Sequence, residues 1–126
     1  MAVHVAILAP PYDQMVVEGR KRIESRLTAQ CRPPFGQISP GDAVYIKRSG
    51  GPFVARAEAA RVLMADQLTP EAVDQLAKRY NKWIGGTDEY WQAKRKSTRY
   101  ATLIWLRNVQ PTTQGPRFGV QHMRAW

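Results

Sequence analysis

Eight consecutive residues, Gly19-Arg20-Lys21-Arg22-Ile23-Glu24-Ser25-Arg26, set a lysine, a carboxylate and a guanidinium behind a glycine. A lysine ammonium is a movable point charge, and an arginine is a planar fork matched to phosphate. The alternation over Lys21 to Leu27 has the period of a half-buried strand. Glu24 and Arg26 then fall on one side of it, and Ile23, Ser25 and Leu27 on the other. Lys21, just after a helix stop at Gly19, reaches the side of Glu24 and Arg26, so the three groups can converge on one cleft. There Lys21 and Arg26 would hold a phosphate, and Glu24 would accept from a base amino group or steady Arg26. The same trio also reads as an ion pair that simply holds the strand. If the cleft is catalytic, Lys21 and Glu24 are its candidate residues, with Lys21 a nucleophile or base once burial lowers its pKa. Tyr12 is a candidate for stacking on a base. Lys47 and Ser49, on the strand opened by Gly41-Asp42, are candidates for the cleft rim.

The chain of 126 residues carries 19 Lys and Arg against 10 Asp and Glu, a formal charge of +9 that points to a polyanionic partner. A second basic set, Lys78, Arg79, Lys82, Lys94, Arg95 and Lys96, is interleaved with Tyr80, Trp83, Tyr90 and Trp91. This is a candidate surface for tracking a nucleic-acid backbone. Its alternative reading is a solvated helix face with the aromatics turned into the core.

Other chemistry has little support in the sequence. Cys31 is the only cysteine, which excludes an intrachain disulfide and fits a reducing compartment. No Cys or His pair has metal-ligand spacing, so no metal and no cofactor are expected. His4 and His122 read as structural. Gly50-Gly51 and Gly85-Gly86 lack the lysine and spacing of a phosphate loop. The apolar start, Val3 to Ala9, is too short for a signal peptide and no run is long enough to span a bilayer, so a cytoplasmic protein without a membrane partner is expected.

The elements that must position these groups follow from pattern and punctuation. One domain over 1–126 is expected. Val3 to Ala9 reads as a buried strand, and Tyr12, Met15 and Val16 as a short helix stopped at Gly19. After the strand at Lys21 to Leu27, Ala29 to Pro40 reads as a loop. Ala43 to Lys47 and Phe53 to Met64 read as a hairpin about Ser49-Gly50-Gly51-Pro52. Thr69-Pro70-Glu71 opens a helix that ends at Gly85-Gly86, and Thr87 caps another that closes on Lys94, Arg95 and Lys96. Arg99 to Val109 reads as a central strand and Arg117 to Val120 as a last one. The sum is an α+β, mostly β fold: a small closed or nearly closed barrel of about five or six strands with two or three flanking helices.

The G-x-K-x-x-E-x-R spacing of Gly19 to Arg26 resembles the ASCH family, a branch of the PUA-like barrel superfamily. Pro10-Pro11-Tyr12 before the short helix, Gly41-Asp42 and the segment Tyr100 to Leu106 agree with it. The resemblance implies a PUA-like β-barrel with a cleft lined by the motif, and an association with RNA and modified nucleosides. RNA or a nucleotide-like ligand is the expected partner. The competing function is a hydrolase, either a ribonuclease or an N4-acetylcytidine amidohydrolase using Lys21. The amidohydrolase pattern has a threonine where Glu24 stands. A third reading is a protein-interaction module whose cleft holds a peptide or a small anion.

Overall fold

The computed structural model describes residues 1–117 and 123–126. In chain order it contains β1 (Val3–Leu8), α1 (Tyr12–Val17), β2 (Ile23–Thr28), β3 (Ala43–Arg48), β4 (Phe53–Ala65), α2 (Pro70–Ile84), α3 (Asp88–Arg95), β5 (Tyr100–Pro111) and β6 (Met123–Ala125). The strands form one mixed sheet in the order β2-β5-β4-β3-β1-β6. The long strands β4 and β5 pair antiparallel, with register shifts at Arg56/Glu58 and Ala59/Arg61. Such irregularities bend a strand and increase its twist. The sheet curls into a half-barrel, and its edge strand β2 returns toward β1.

Two apolar cores hold the curl. Ala6, Leu8, Val44, Ile46, Ala55, Ala59 and Ile104 fill its inside, with Val16 of α1 packed among them. Ile23, Leu27, Val73, Tyr80, Ile84, Trp91 and Leu103 form the second core, between the sheet and helices α2 and α3. Leu103 and Ile104 are adjacent and enter different cores, so β5 is apolar on both faces, as a central strand should be. The buried alanines Ala55, Ala57 and Ala59 sit on β4, where extended neighbours override their weak strand preference.

Both longer helices begin as their caps dictate. The Thr69 hydroxyl accepts the Ala72 N–H at 3.2 Å, and the Thr87 hydroxyl accepts the Tyr90 N–H at 3.1 Å. Helix α2 stops at Gly85 in the left-handed conformation, φ 79°, with its N–H donating to the Asn81 carbonyl. No helix among the described residues is long and apolar enough to cross a membrane.

Two local expectations are corrected. Lys21 precedes β2 instead of opening it, because the N–H groups of Arg20 and Lys21 both donate to the Met15 carbonyl at 3.0 Å and hold the turn against α1. Arg117 lies in no strand; the rest of that expected strand, 118–120, and His122 fall outside the described residues. The last described strand is β6, which pairs parallel with β1.

Candidate functional site

Where β2 curls back toward β1 the sheet does not close, and a cavity of about 290 Å³ opens at the seam. Its walls include Ile7 to Ala9 from β1 and its turn, Tyr12 from α1, Glu24 to Thr28 from β2, Ile84 and Gly86 at the end of α2, and Tyr90 and Lys94 from α3. Lys21 completes it from the turn before β2. Tyr12, Lys21, Glu24 and Arg26 are thus gathered at one cavity.

Register explains the trio's direction. Glu24 pairs with Ile104 and Arg26 with Thr102, so both share the inner face of the curl. Lys21 is 4% exposed and Glu24 3%. The Lys21 ammonium donates to the Ile84 carbonyl at 2.8 Å and the Ile23 carbonyl at 3.0 Å, and lies 3.4 Å from Glu24 Oε1. It also sits 5.8 Å from the centre of the Tyr12 ring. Glu24 Oε1 accepts the Ser25 N–H at 2.8 Å, and Oε2 accepts Arg26 Nη2 at 3.0 Å. Arg26 Nη2 also donates to the Ile7 carbonyl at 2.9 Å, and its guanidinium lies 5.1 Å from the Trp126 ring centre. Arg26 Nε is buried without a partner among the described residues.

Burial lowers the Lys21 pKa, and the Glu24 charge opposes that drop. For Glu24, burial pushes the pKa upward, but Arg26, Lys21 and the hydrogen bonds outweigh it and hold the carboxyl below its usual range. Lys21 Nζ and Glu24 Oε1 lie within ion-pair distance, and the Lys21 nitrogen faces three oxygen acceptors.

Three polar neighbours were not expected at this cavity. The Ser25 hydroxyl and the Tyr90 hydroxyl lie 3.3 Å apart at the cavity wall. Burial raises the Tyr90 pKa, with the Ser25 hydrogen bond opposing. Alternation sends Ser25 to the face opposite Glu24, yet it lines the cavity because β2 is an edge strand and both its faces border the open seam. Lys94, expected on a backbone-tracking surface, instead donates to the Leu27 carbonyl at 3.3 Å and lies 5.8 Å from the Tyr90 ring centre.

Lys47 and Ser49 do not line this cavity. Lys47 lies beyond Val44 and Ile46, past the register shift on β3, and its ammonium donates to the Arg48 carbonyl at 3.4 Å. Ser49 is exposed in the hairpin turn and donates its N–H to the Leu8 carbonyl of β1 at 2.9 Å. The basic set on α2 and α3 also divides. Arg95 forms a two-point ion pair with Asp74 at 3.1 and 2.9 Å, tying α3 to α2. Arg79 lies over Tyr80 and Lys82 over Trp83, while Lys78 and Lys96 are exposed.

No protein-family model matches the sequence, and comparison with curated proteins finds no match either. Solved structures do match. The ASCH protein from Zymomonas mobilis superposes with a TM-score of 0.67 at 22% identity, over 85% of this chain and 68% of that one. Protein EF3133 from Enterococcus faecalis gives a TM-score of 0.61 at 14% identity, over 86% and 76%. The ASCH domain from Lactobacillus crispatus gives 0.54 at 12% identity, over 88% and 81%. The curled six-stranded sheet with its flanking helices is therefore an ASCH fold.

Proposed function

We propose that the seam cavity binds one nucleotide unit of an RNA, or a free nucleotide. One observation carries this reading: Lys21, Glu24 and Arg26, far apart in charge type but fixed in geometry, meet at the wall of a single open cavity. The lining holds three cations, Lys21, Arg26 and Lys94, against one carboxylate, which suits an anion. Tyr12 and Tyr90 offer ring faces and hydroxyls, the combination by which flipped or unpaired bases are held. The volume lies at the small end of ligand pockets, the size of one nucleotide and not of a duplex.

The hydrolase alternative has less support. Held as an ammonium by two carbonyls and Glu24, Lys21 would have to give up a proton before its nitrogen carried a lone pair for attack. Glu24, where the amidohydrolase pattern has threonine, is committed to Arg26 and Ser25.

Titration of nucleoside monophosphates and short single-stranded RNAs at two salt concentrations tests the binding reading. Saturable binding that weakens with salt, and weakens further in Lys94→Ala, is expected. No saturable binding of any of them rejects it. Incubation with labelled RNA and with N4-acetylcytidine is expected to leave both intact.

A further inference from the structure

A second hollow backs onto the first. The chain at Lys21-Arg22 and the end of α2 at Trp83-Ile84 form their common wall. Lys21 and Ile84 face the seam cavity, whereas Arg22 and Trp83 face an open groove of about 510 Å³. The Arg22 N–H donates to the Trp83 carbonyl at 2.8 Å and fixes this wall. Arg61, Arg79, Tyr80 and Trp105 also line the groove.

The groove's chemistry is that of a single-strand platform. Its lining contains three arginines and no acid. Among the described residues the carboxylate ion pairs engage Arg20, Arg26, Arg48, Arg95 and Arg107, and none engages Arg22, Arg61 or Arg79. The Arg61 guanidinium carbon lies 4.5 Å from the centre of the Trp105 ring. Trp105 in turn packs edge-on against Tyr80, with centroids 5.4 Å apart. Trp83, 39% exposed, is a large apolar ring left in solvent beside these cations. Aromatic faces take bases regardless of sequence, and guanidinium planes take bases or phosphates.

We propose that this groove holds the nucleotides that flank the one in the seam cavity, so that a single-stranded RNA runs across the end of α2. Arg22, Arg61 and Arg79 meet its phosphates, and Trp83 stacks on a base. The proposal rests on the nucleotide reading of the cavity for its placement, and on the groove's own residues for its chemistry.

The test compares wild type, Trp83→Ala, the double variant Arg61→Ala/Arg79→Ala, and Lys94→Ala in the cavity. Each is titrated with a nucleoside monophosphate and with a single-stranded RNA octamer over a salt series, after circular dichroism verifies folding. Trp83, Arg61 and Arg79 are exposed, so the fold is expected to survive. Trp83→Ala should weaken the octamer about tenfold and leave the monophosphate unchanged. The double variant should lower the slope of log affinity against log salt by about 1.4, roughly 0.7 for each lost phosphate contact. Octamer binding equal to wild type in both groove variants overturns the groove and leaves the cavity reading standing. Octamer loss in the groove variants, with no monophosphate binding and no effect of Lys94→Ala, upholds the groove and overturns the cavity reading. No binding of either probe to wild type overturns both.

Discussion

Arg26 on β2 donates to the backbone carbonyl of Ile7 on β1 at 2.9 Å, across a gap that the sheet's own ladder does not bridge, since β5, β4 and β3 separate the two strands. The same nitrogen holds Glu24. One of the three cations of the cavity wall is thus also the staple over the open seam. The ion-pair reading and the ligand reading of the motif are two aspects of one arrangement, because the cavity exists only where β2 and β1 are held near each other without pairing.

Arg26→Ala removes that staple and one of the two cations beside buried Glu24. A hydrogen bond to a charged group contributes about 1.5–3 kcal/mol, and stranding a buried charge costs more. Because Lys21 still faces Glu24, the expected loss is about 2–3 kcal/mol by urea denaturation. Arg26→Lys keeps the charge on a shorter stem that does not place its nitrogen where Nη2 meets both acceptors, and recovers only part of it. A loss below about 0.5 kcal/mol would show that the seam is held elsewhere.

Acid should reveal Glu24. Its folded pKa is held below the ordinary value near 4.5, so the folded state binds fewer protons than the unfolded chain. Its contribution is present above that value and is lost as pH falls through the depressed folded one. Denaturation curves at pH 7 and at stepwise lower pH should show wild type losing stability below about pH 4.5, and Glu24→Gln losing less over that interval. Parallel profiles for the two proteins would contradict the pKa assignment.

The elements were readable because their punctuation is local. Thr69-Pro70, Gly85 and Thr87 fix the helices by caps that need no distant partner, and the alternation around Glu24 fixes a strand face. What was not readable depends on closure. Nothing local says that β2 becomes an edge, which is why Ser25 joined the site from the supposedly wrong face. Nothing local brings Tyr90 and Lys94 to the same hollow, since they arrive on α3, more than sixty residues from the serine and leucine they meet. Lys47 and Ser49 follow the strand opened by Gly41-Asp42, but the register shift on β3 and the hairpin turn take them away from the cavity.

Tyr90 offers a spectroscopic check on the cavity. Its phenol pKa is raised by burial, so ionisation lags behind the ordinary value near 10.0. An ultraviolet phenolate titration should contain a late-ionising component that is absent from Tyr90→Phe. The variant loses one hydroxyl contact to Ser25 and should cost no more than about 1 kcal/mol. If the alkaline titrations of the two proteins differ only in amplitude and not in shape, Tyr90 is not buried as described.

Gly85 is where backbone freedom is required. At φ +79° a side chain is strained, and an added Cβ would come 2.6 Å from the Met15 methyl of α1. The methionine end is flexible, so the backbone term dominates. Gly85→Ala should destabilise by about 1–2 kcal/mol in thermal or urea unfolding. Because Ile84 and Gly86 on either side line the cavity, nucleotide affinity should fall with it, at a protein concentration and temperature where the variant is fully folded.

The far edge of the sheet depends on Asp42. Its Oδ1 accepts the Ala2 N–H at 3.0 Å, and its Oδ2 accepts the Ser39 N–H at 3.0 Å and meets His4 Nε2 at 2.9 Å. His4 Nδ1 accepts the Trp126 indole N–H at 3.2 Å, which assigns the imidazole proton to Nε2 and makes it the donor to Asp42. Burial pushes the Asp42 pKa upward, but the His4 hydrogen bond and the two backbone donors outweigh it, and the carboxyl stays below its ordinary value near 3.8. Its contribution is therefore present above about pH 3.8 and is lost as pH falls through the lower folded value. Asp42→Asn replaces an acceptor-only group by one with a single acceptor oxygen and leaves at least one of three donors unmet. The expected cost is about 1–3 kcal/mol at pH 7, shrinking toward zero in strong acid, where wild type has lost the same interaction. A cost that stays constant from neutral pH down to the acid unfolding limb would mean that the carboxylate charge contributes nothing to holding His4 and Trp126 in place.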